Sequence, residues 1–412
     1  MARGRRSGRH RHRRRVGAPA AGGDPVSLNL DKSTWKRVRL GEVIRRSRRQ
    51  VDPVSSGVDR YVAGGHVDSQ GVTIERWGQV GDGQMGSTFR YVFQPGQVLF
   101  VSARPYLRKV GVPDFSGVVA DKTYVLDAIP ENGLLQEFLP FLLSSEAFVE
   151  YGTAEATGSM NPRLLWGPMQ RYEFDLPPLD EQKRLADLLW AVERHRQALV
   201  ARSEALGTVP ARLLDEVLAS VGRLRPLSGL VAAIVDCAHK TAPTGEGGSA
   251  RVIGTRDIRN GKILVESARP VSEATFLAWT ERAVPQPGDL IFAREAPVGE
   301  VGIVSEGQRL CLGQRTVLIR PRDASDSFLL WVVLRSSGVQ SVITSKAAGS
   351  TVPHLNVGDI RNLEVPWPED EIASGRVRDL ALCGQAASDA AAYEIACIDS
   401  HMRALSATIF GG

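Results

Sequence analysis

The chain has 412 residues, 43% hydrophobic and 24% charged, the composition of a soluble globular protein with room for two or three domains. No apolar run approaches the ~18 residues that a membrane span requires, and the N-terminus carries arginines where a secretory signal carries a hydrophobic core. The net charge of +5 is no mark of a basic protein. The opening "MARGRRSGRHRHRRR" holds eight arginines and no acid, and without them 43 Lys and Arg face 46 Asp and Glu, a net of −3.

Residues 1–33 therefore read as a disordered arginine-rich arm that binds phosphate without sequence preference, or equally as an extension from an upstream start codon. Beyond it, "YVAGGHVDSQGVTIE" from Tyr61, "GQVLF" at Gly96–Phe100 and "ARPYLRKVGV" from Ala103 alternate short β-branched runs with turn residues, the pattern of strands in a small sheet. The Leu-rich run Phe138–Phe148 reads as one helix. "ATGSMNPRL" at Ala156–Leu164 follows, with Pro162 placed to start a short helix.

After Pro177-Pro178 come 28 residues without Gly or Pro, "LDEQKRLADLLWAVERHRQALVARSEAL". Leu185, Leu188, Leu189, Val192 and Leu199 recur at helical spacing, and Asp180 and Glu181 occupy the first turn, where carboxylates oppose the helix dipole. Gly207 and Pro210 interrupt this helix before "ARLLDEVLASV" resumes it.

Then the chain repeats itself. "RVIGTRDIRNGKILVE" from Arg251, "GDLIF" at Gly288–Phe292, "AREAPVGEVGI" from Ala293, "FLLWVVLRSSGV" from Phe328 and "AAGSTVPHL" at Ala347–Leu355 echo the first half in the same order, 190 to 192 residues on. Five echoes at one offset indicate duplication. On this alignment Arg294 matches Arg104, while Lys122 and Arg315 fall at equivalent points just before a strand. Ile395, Ile398, Met402, Leu405 and Ile409 then repeat with 3-4-3-4 spacing, a coiled-coil seam. Two such seams, each closing one copy, favour antiparallel pairing with each other over separate packing on the two domains. The expected fold class is α+β, with two similar domains in pseudo-twofold arrangement, separated by long antiparallel, coiled-coil-like helices. The expected boundaries are 34–178 and 223–368 for the domains, and 179–222 and 369–412 for the helices.

A helix of 28 residues spans roughly 42 Å at ~1.5 Å per residue, close to the ~34–36 Å between half-sites read by symmetric DNA binders. With that, the chain resembles the specificity (S) subunit of a type I restriction–modification enzyme. The resemblance rests on the paired segments Gly158-Ser159…Pro162 with Leu164 and Gly349-Ser350…Pro353 with Leu355, on "LPPLDEQ" at Leu176–Gln182, on "GQVLF" and "GDLIF", and on "WKRVRLGEV" at Trp35–Val43. It covers roughly residues 34 to 410. The second copy departs from it: "VPWPEDE" at Val365–Glu371 keeps the proline and acids but loses the glutamine.

The resemblance implies two target-recognition domains, each reading half of a bipartite asymmetric DNA site, and helices that dock two DNA methyltransferase subunits. It implies restriction subunits joining that core, S-adenosylmethionine, ATP and magnesium on those partners and none on this chain, no membrane, and a cytoplasmic location. A stand-alone DNA-binding defence adaptor of the same fold is the alternative. A module serving a fused-type restriction enzyme and a purely structural scaffold are further rivals.

Catalytic signatures are absent from the letters. Asn161-Pro162 is followed by Arg163-Leu164, without the second proline and aromatic of an amino-methyltransferase. Asp121 and Lys122 are adjacent, where a nuclease needs one residue between them. "IRNGKI" at Ile258–Ile263 lacks the P-loop's earlier glycine and its Ser or Thr. Cys237 and His239 stand at a spacing a metal could use, but no second pair accompanies them, and the four cysteines form no CxxC, so neither metal nor disulfide framework is expected.

Readout of bases uses Arg for guanine and Asn or Gln for adenine, while phosphates take Arg, Lys, Ser or backbone N–H. The candidate DNA contacts are Arg104, Arg108, Lys109, Lys122, Ser159 and Arg163 in the first copy. In the second they are Arg256, Arg259, Asn260, Arg294, Arg315, Ser350 and His354. Local ion pairing competes at each, most plainly for Arg294 beside Glu295 and Arg256 beside Asp257. Trp35, Trp77 and Trp166 are expected to pack in the core, and His195 to lie on a helix surface.

Overall fold

The computed structural model describes residues 30–243, 245, 248–348 and 353–411. Most of the arginine arm, together with Gly349, Ser350 and Val352 of the second motif, lies outside the described residues. The fold is mixed α+β and divides into two compact units, one running to Arg196 and including the chain from Ala396 on, the other Gln197–Ile395.

In the first unit a five-stranded sheet is ordered Ile44–Ser47, Thr123–Ala128, Val98–Val101, Val110–Pro113, Thr73–Ile74. A second, four-stranded sheet pairs Arg60–Val62 in parallel with Gly117–Val119. The second unit repeats the plan. Val231–Asp236, Thr316–Pro321, Leu290–Ala293 and Val301–Ile303 form one sheet, and Ala250–Ile253 runs parallel to Leu310–Leu312 in another. Each central strand enters from the same turn. Gln94-Pro95-Gly96-Gln97 and Gln286-Pro287-Gly288-Asp289 close with hydrogen bonds of 3.2 and 2.9 Å, and Gly96 and Gly288 take φ of +82° and +91°. Proline followed by a positive-φ glycine is the requirement of a type II turn. Both strands, Val98–Val101 and Leu290–Ala293, are buried along their whole length.

The run at Phe138–Phe148 is two helices. Leu139–Ser144 ends at Ser145, whose extended backbone breaks the helix and whose hydroxyl caps the next one, Glu146–Ala154, by accepting from the Phe148 N–H at 3.3 Å. The second unit breaks at the matching residue, Ser336, between Ser327–Arg335 and Ser337–Ala347. Likewise the short helix after the first Gly-Ser motif begins at Trp166, not at Pro162. The proline's carbonyl accepts from the Arg104 N–H at 2.7 Å and keeps that stretch extended. The leucine closing each motif is a core residue: Leu164 and Leu355 are 0% and 1% exposed.

The central helix, Leu179–Val221, is continuous for 43 residues with Pro210 inside it, so Gly207 and Pro210 do not interrupt it. A proline costs one helical hydrogen bond and crowds the preceding turn, and here the partner helix, Glu371–Phe410, packs against it. In the second unit a Cβ at Gly384 would lie 3.0 Å from Pro210 Cβ, so glycine lets the two helices approach. The pairing is antiparallel. Arg202 meets Glu394 at 3.4 Å there, and in the first unit Arg196 meets Asp399 at 2.7 Å while Leu185 and Leu189 share a core with Leu405 and Ile409. His195 is exposed on the helix surface.

Two side chains fix the first domain to the helix. Gln182, fully buried, accepts from Leu135 N–H (2.9 Å) and donates to the carbonyls of Gly133 (2.6 Å) and Pro177 (2.7 Å), which explains the glutamine of "LPPLDEQ". Glu193, 2% exposed, accepts from Val72 N–H at 3.1 Å. At Gly71 a Cβ would sit 2.7 Å from the Glu193 carboxylate, so the loop comes this close only with glycine. No single helix among the described residues is long and apolar enough to cross a membrane.

Burial pushes the Glu193 carboxyl above the usual carboxylate range, against the lowering pull of the Val72 N–H and Arg196. A raised pKa in the fold gives a contribution that is complete below the unfolded value and lost as pH rises through the folded one. Glu193→Gln keeps an acceptor for Val72 and removes that loss. Relative to wild type, the variant should therefore gain stability at about pH 8 over about pH 4, read as urea midpoints; an unchanged difference would refute this assignment.

Candidate nucleic-acid interface

The end of each central strand is tied to the strand after it and to the Gly-Ser motif by the same backbone bonds. In the first unit Ser102 N–H donates to Lys122 carbonyl (2.8 Å), and Leu164 N–H donates to Ser102 carbonyl (2.9 Å). In the second, Arg294 N–H donates to Arg315 carbonyl and Leu355 N–H to Arg294 carbonyl, both at 2.9 Å. Ala103 bridges Arg163 as Glu295 bridges His354. Lys122 thus corresponds to Arg315 and Arg163 to His354. Arg294 corresponds to Ser102, not to Arg104. The strand register, with Val101 facing Thr123 and Ala293 facing Thr316, fixes the match two residues away from the letter echo.

Each joint is bracketed by one arginine, and the two enter from opposite sides. Arg163 comes from the motif. Its Nε donates to Ser102 Oγ (2.9 Å), Nη1 pairs with Asp121 Oδ2 (3.2 Å) and Nη2 donates to Asp121 carbonyl (2.5 Å). Arg294 comes from the strand end. Its Nη2 lies 3.3 Å from His239 Nδ1, its Nη1 3.5 Å from Leu355 carbonyl and its Nε 3.8 Å from Asp236 Oδ1, with the side chain 12% exposed. Both guanidinium groups face inward to their own joint.

Around the first joint Arg104, in left-handed backbone at φ +53°, is exposed and donates from Nε to Asn161 Oδ1 at 2.8 Å. Ser159 is exposed on the loop after Gly158 (φ +108°). The Lys122 side chain is exposed and has no hydrogen-bond or ion-pair partner among the described residues. Arg108 and Lys109 lie in the same hairpin but are committed, Arg108 to Glu146 and Lys109 to the Gly64 carbonyl.

In the second unit Arg315 (φ +70°) pairs with Glu295 at 2.8 Å, and Arg256 is exposed beside it. These two, brought together from 59 residues apart in sequence, line one open cleft of about 500 Å³ with Arg269. Arg259 and Asn260 sit apart from it, in a hairpin whose Asn260-Gly261 turn has positive φ at both positions (+51° and +80°), as a type I′ turn demands. Arg259 donates to the carbonyls of Thr255 and Ile258 (2.9 and 2.7 Å), while Asn260 is exposed. His354 is half-buried at the joint. Ser350 lies outside the described residues. Sequence reasoning missed Arg269, whose strand Arg269–Val271 joins the cleft only through its pairing with Ala250–Ile253.

Asp236, Cys237 and His239 do come together, with donor atoms within 4.8 Å of one another. The site is nonetheless built for an arginine. His239 Nε2 is hydrogen-bonded to Asp236 Oδ2 at 2.8 Å, and the Arg294 guanidinium takes the remaining ring nitrogen. A fixed cation there opposes a second one.

Of the three tryptophans expected in the core, Trp35 (Nε1 to Glu181 Oε2, 3.0 Å) and Trp166 (edge-on to Tyr124, 5.7 Å) pack as expected. Trp77 is 46% exposed, with Arg60 stacked 4.6 Å over its ring.

Comparison with known proteins places this geometry. Residues 32–205 match the family described as the type I restriction modification DNA specificity domain. Residues 32–205 are thus similar to a type I restriction–modification specificity domain. One chain from a structure concerned with complex assembly and conformational transition of the type I R-M system shares the fold, at 23% identity and a TM-score of 0.53, over 92% of this chain and 98% of that one. The type I restriction–modification S subunit from M. genitalium does so at 12% identity and a TM-score of 0.53, over 93% and 98%. The fold of these specificity subunits therefore extends across both units.

The bracket arginines of this specificity fold differ in strength. Arg163 makes three bonds of 3.2 Å or less, whereas the Arg294 contacts run from 3.3 to 3.8 Å. Arg163→Ala should cost about 1–3 kcal/mol of stability, the worth of hydrogen bonds that involve a charged group, and Arg294→Ala less. Urea denaturation of both variants checks the order, and the reverse order would contradict it.

Proposed function

We propose that the chain is the DNA-recognition subunit of a type I restriction–modification complex and itself catalyses no step. Residues 34–178 read one half of a bipartite, asymmetric target and residues 223–368 the other. The family match over residues 32–205 carries the DNA-recognition part of this reading. The duplicated joint, with equivalent backbone bonds under different surface side chains, supports the two-half part.

The residues best disposed to meet DNA are those that are exposed and uncommitted, or bound only at the rim: Arg104, Lys122 and Ser159 in the first unit, Arg256, Asn260 and Arg315 in the second. Arg163 and Arg294 support the surface from beneath. Arg108, Lys109 and Arg259 contribute charge while holding loops. Ser350 and His354 complete the second motif in this reading.

The helices 179–222 and 369–412 act as spacer and as the docking platform for two methyltransferase subunits, to which restriction subunits attach. S-adenosylmethionine, ATP and magnesium then belong to those partners, and the assembly works in the cytoplasm. Exposed apolar side chains on the helices, Leu188, Val209, Leu213, Ile372 and Leu382, suit a protein partner.

Exchanging residues 34–170 for the corresponding segment of a relative, followed by methylome sequencing of cells making the complete system, should change one half of the methylated target and leave the other intact. Change in both halves, or in neither, would defeat the two-reader assignment.

A further inference from the structure

The cleft in the second unit is more specific than a basic surface. Its volume is about 500 Å³, and it is framed by Arg256, Arg269 and Arg315. The acid in its lining, Asp257, spends its carboxylate on the Gly254 N–H at 2.8 Å, capping the turn that carries Arg256. Gln314, the one amide in the lining, is turned away to donate to the His239 carbonyl at 3.3 Å. Arg315 is steadied through Nε by Glu295, which leaves its Nη donors for the cleft. The side chains of Arg256 and Arg269 have no hydrogen-bond or ion-pair partner among the described residues, and both are exposed.

The walls decide what this charge can hold. Among the described residues no aromatic side chain lines the cleft, and Ala242 is the one apolar side chain. A pocket for a base needs a flat apolar face to stack on, and single-strand binders supply one per base. Glycines stand in the lining beside the guanidinium groups, Gly254 and Gly313, the latter packed so closely on the Ile253 carbonyl that a Cβ would lie 2.8 Å from it. Uncommitted guanidinium groups in a lining of small and polar residues suit phosphate oxygens, which arginine meets bidentately.

The first unit lacks this arrangement. Strand register, with Val62 facing Val119 as Ile253 faces Leu312 and Tyr61 facing Gly78 as Val252 faces Arg269, sets Gly78 opposite Arg269. Lys109 bonds the Gly64 carbonyl, and His66 Nδ1 accepts from Ala63 N–H at 3.1 Å.

We propose that the Arg256–Arg269–Arg315 cleft is a phosphodiester-anchoring site, which grips backbone phosphates beside the second half-site and sets the position of that domain on the duplex without reading its letters. This rests on the DNA-recognition reading above and adds to it a ligand group, a residue (Arg269) and an asymmetry between the two units.

The test uses the complex reconstituted with its methyltransferase subunits and a duplex bearing the target found by methylome sequencing. Affinity is measured across a series of salt concentrations. Arg256→Gln with Arg269→Gln should flatten the slope of log affinity against log salt by about 2, at ~0.9 per phosphate. It should weaken target and non-target duplexes alike, by about tenfold or more, with the methylated sequence unchanged. Arg256→Lys with Arg269→Lys should keep most of the slope, which separates lost charge from lost folding. Neutral methylphosphonate linkages beside the second half-site should weaken wild type but not the glutamine variant, which separates DNA backbone from any free anion.

An unchanged slope in the glutamine variant, or an altered target sequence, overturns the anchoring role while leaving the function intact. A wild-type complex without sequence-selective binding overturns the function and the cleft with it.

Discussion

Each unit depends on one constraint, the way its central strand ends. Val98–Val101 and Leu290–Ala293 are buried along both faces, so the chain must leave them with its backbone groups satisfied and a hydrophobic seal behind it. Bonds with the entry to the next strand and with the motif meet this need at Ser102 and Arg294, and Leu164 and Leu355 supply the seal. Burying such a leucine is worth about 1.5–3 kcal/mol, and its position fixes where the motif's polar residues emerge. The Gly-Ser segment is thus neither an active-site loop nor the start of a helix. In the first unit it is the strap that closes the sheet, with the exposed Ser159 on it and Arg104 bonded to it through Asn161, because the strap must cross the surface there.

The helices solve a second problem, how to attach a small sheet domain to a long rod. In the first unit the answer is a set of buried polar contacts, Gln182 to the Gly133–Leu135 turn and Glu193 to the Gly71–Val72 loop. In the second unit the loop residue that echoes Val72 is Lys262, which reaches Asp389 at 3.6 Å in an exposed ion pair, a contact of small worth. The loss of the glutamine in "VPWPEDE" fits this weaker polar attachment. The second unit adds further polar contacts near the surface, Ser337 N–H donating to Asp215 Oδ1 at 3.1 Å and Arg378 pairing with Asp326 at 3.4 Å.

Much of this was legible in the letters, because duplication gives one chain the force of a comparison. The paired sheets, the antiparallel helices and the equivalence of Lys122 with Arg315 follow from echoes and periodicity. What escaped has physical causes. Ser145 and Ser336 break helices whose apolar pattern runs on unbroken, since a single serine in extended backbone leaves no mark on periodicity. Pro210 stays inside a helix because a neighbouring helix with Gly384 holds it, a tertiary effect. Arg294 was set against Arg104 because both follow an alanine, and only strand register shows the two-residue slip. Trp77 lies at the surface, where Arg60 stacks 4.6 Å over its ring and Phe115 tilts against it at 5.1 Å. Arg269 reaches the cleft through a strand pairing that no local signal announces.

The two joints also bear on how such a protein diversifies. Their shared bonds join main-chain N–H to main-chain carbonyl, and the only side chain both require is leucine. Serine stands where arginine stands, arginine where histidine stands, and lysine where arginine stands, yet the geometry is kept. The surface residues of each unit are thereby released from the work of folding it. Such a scaffold can drift rapidly in what it recognises while remaining the same protein.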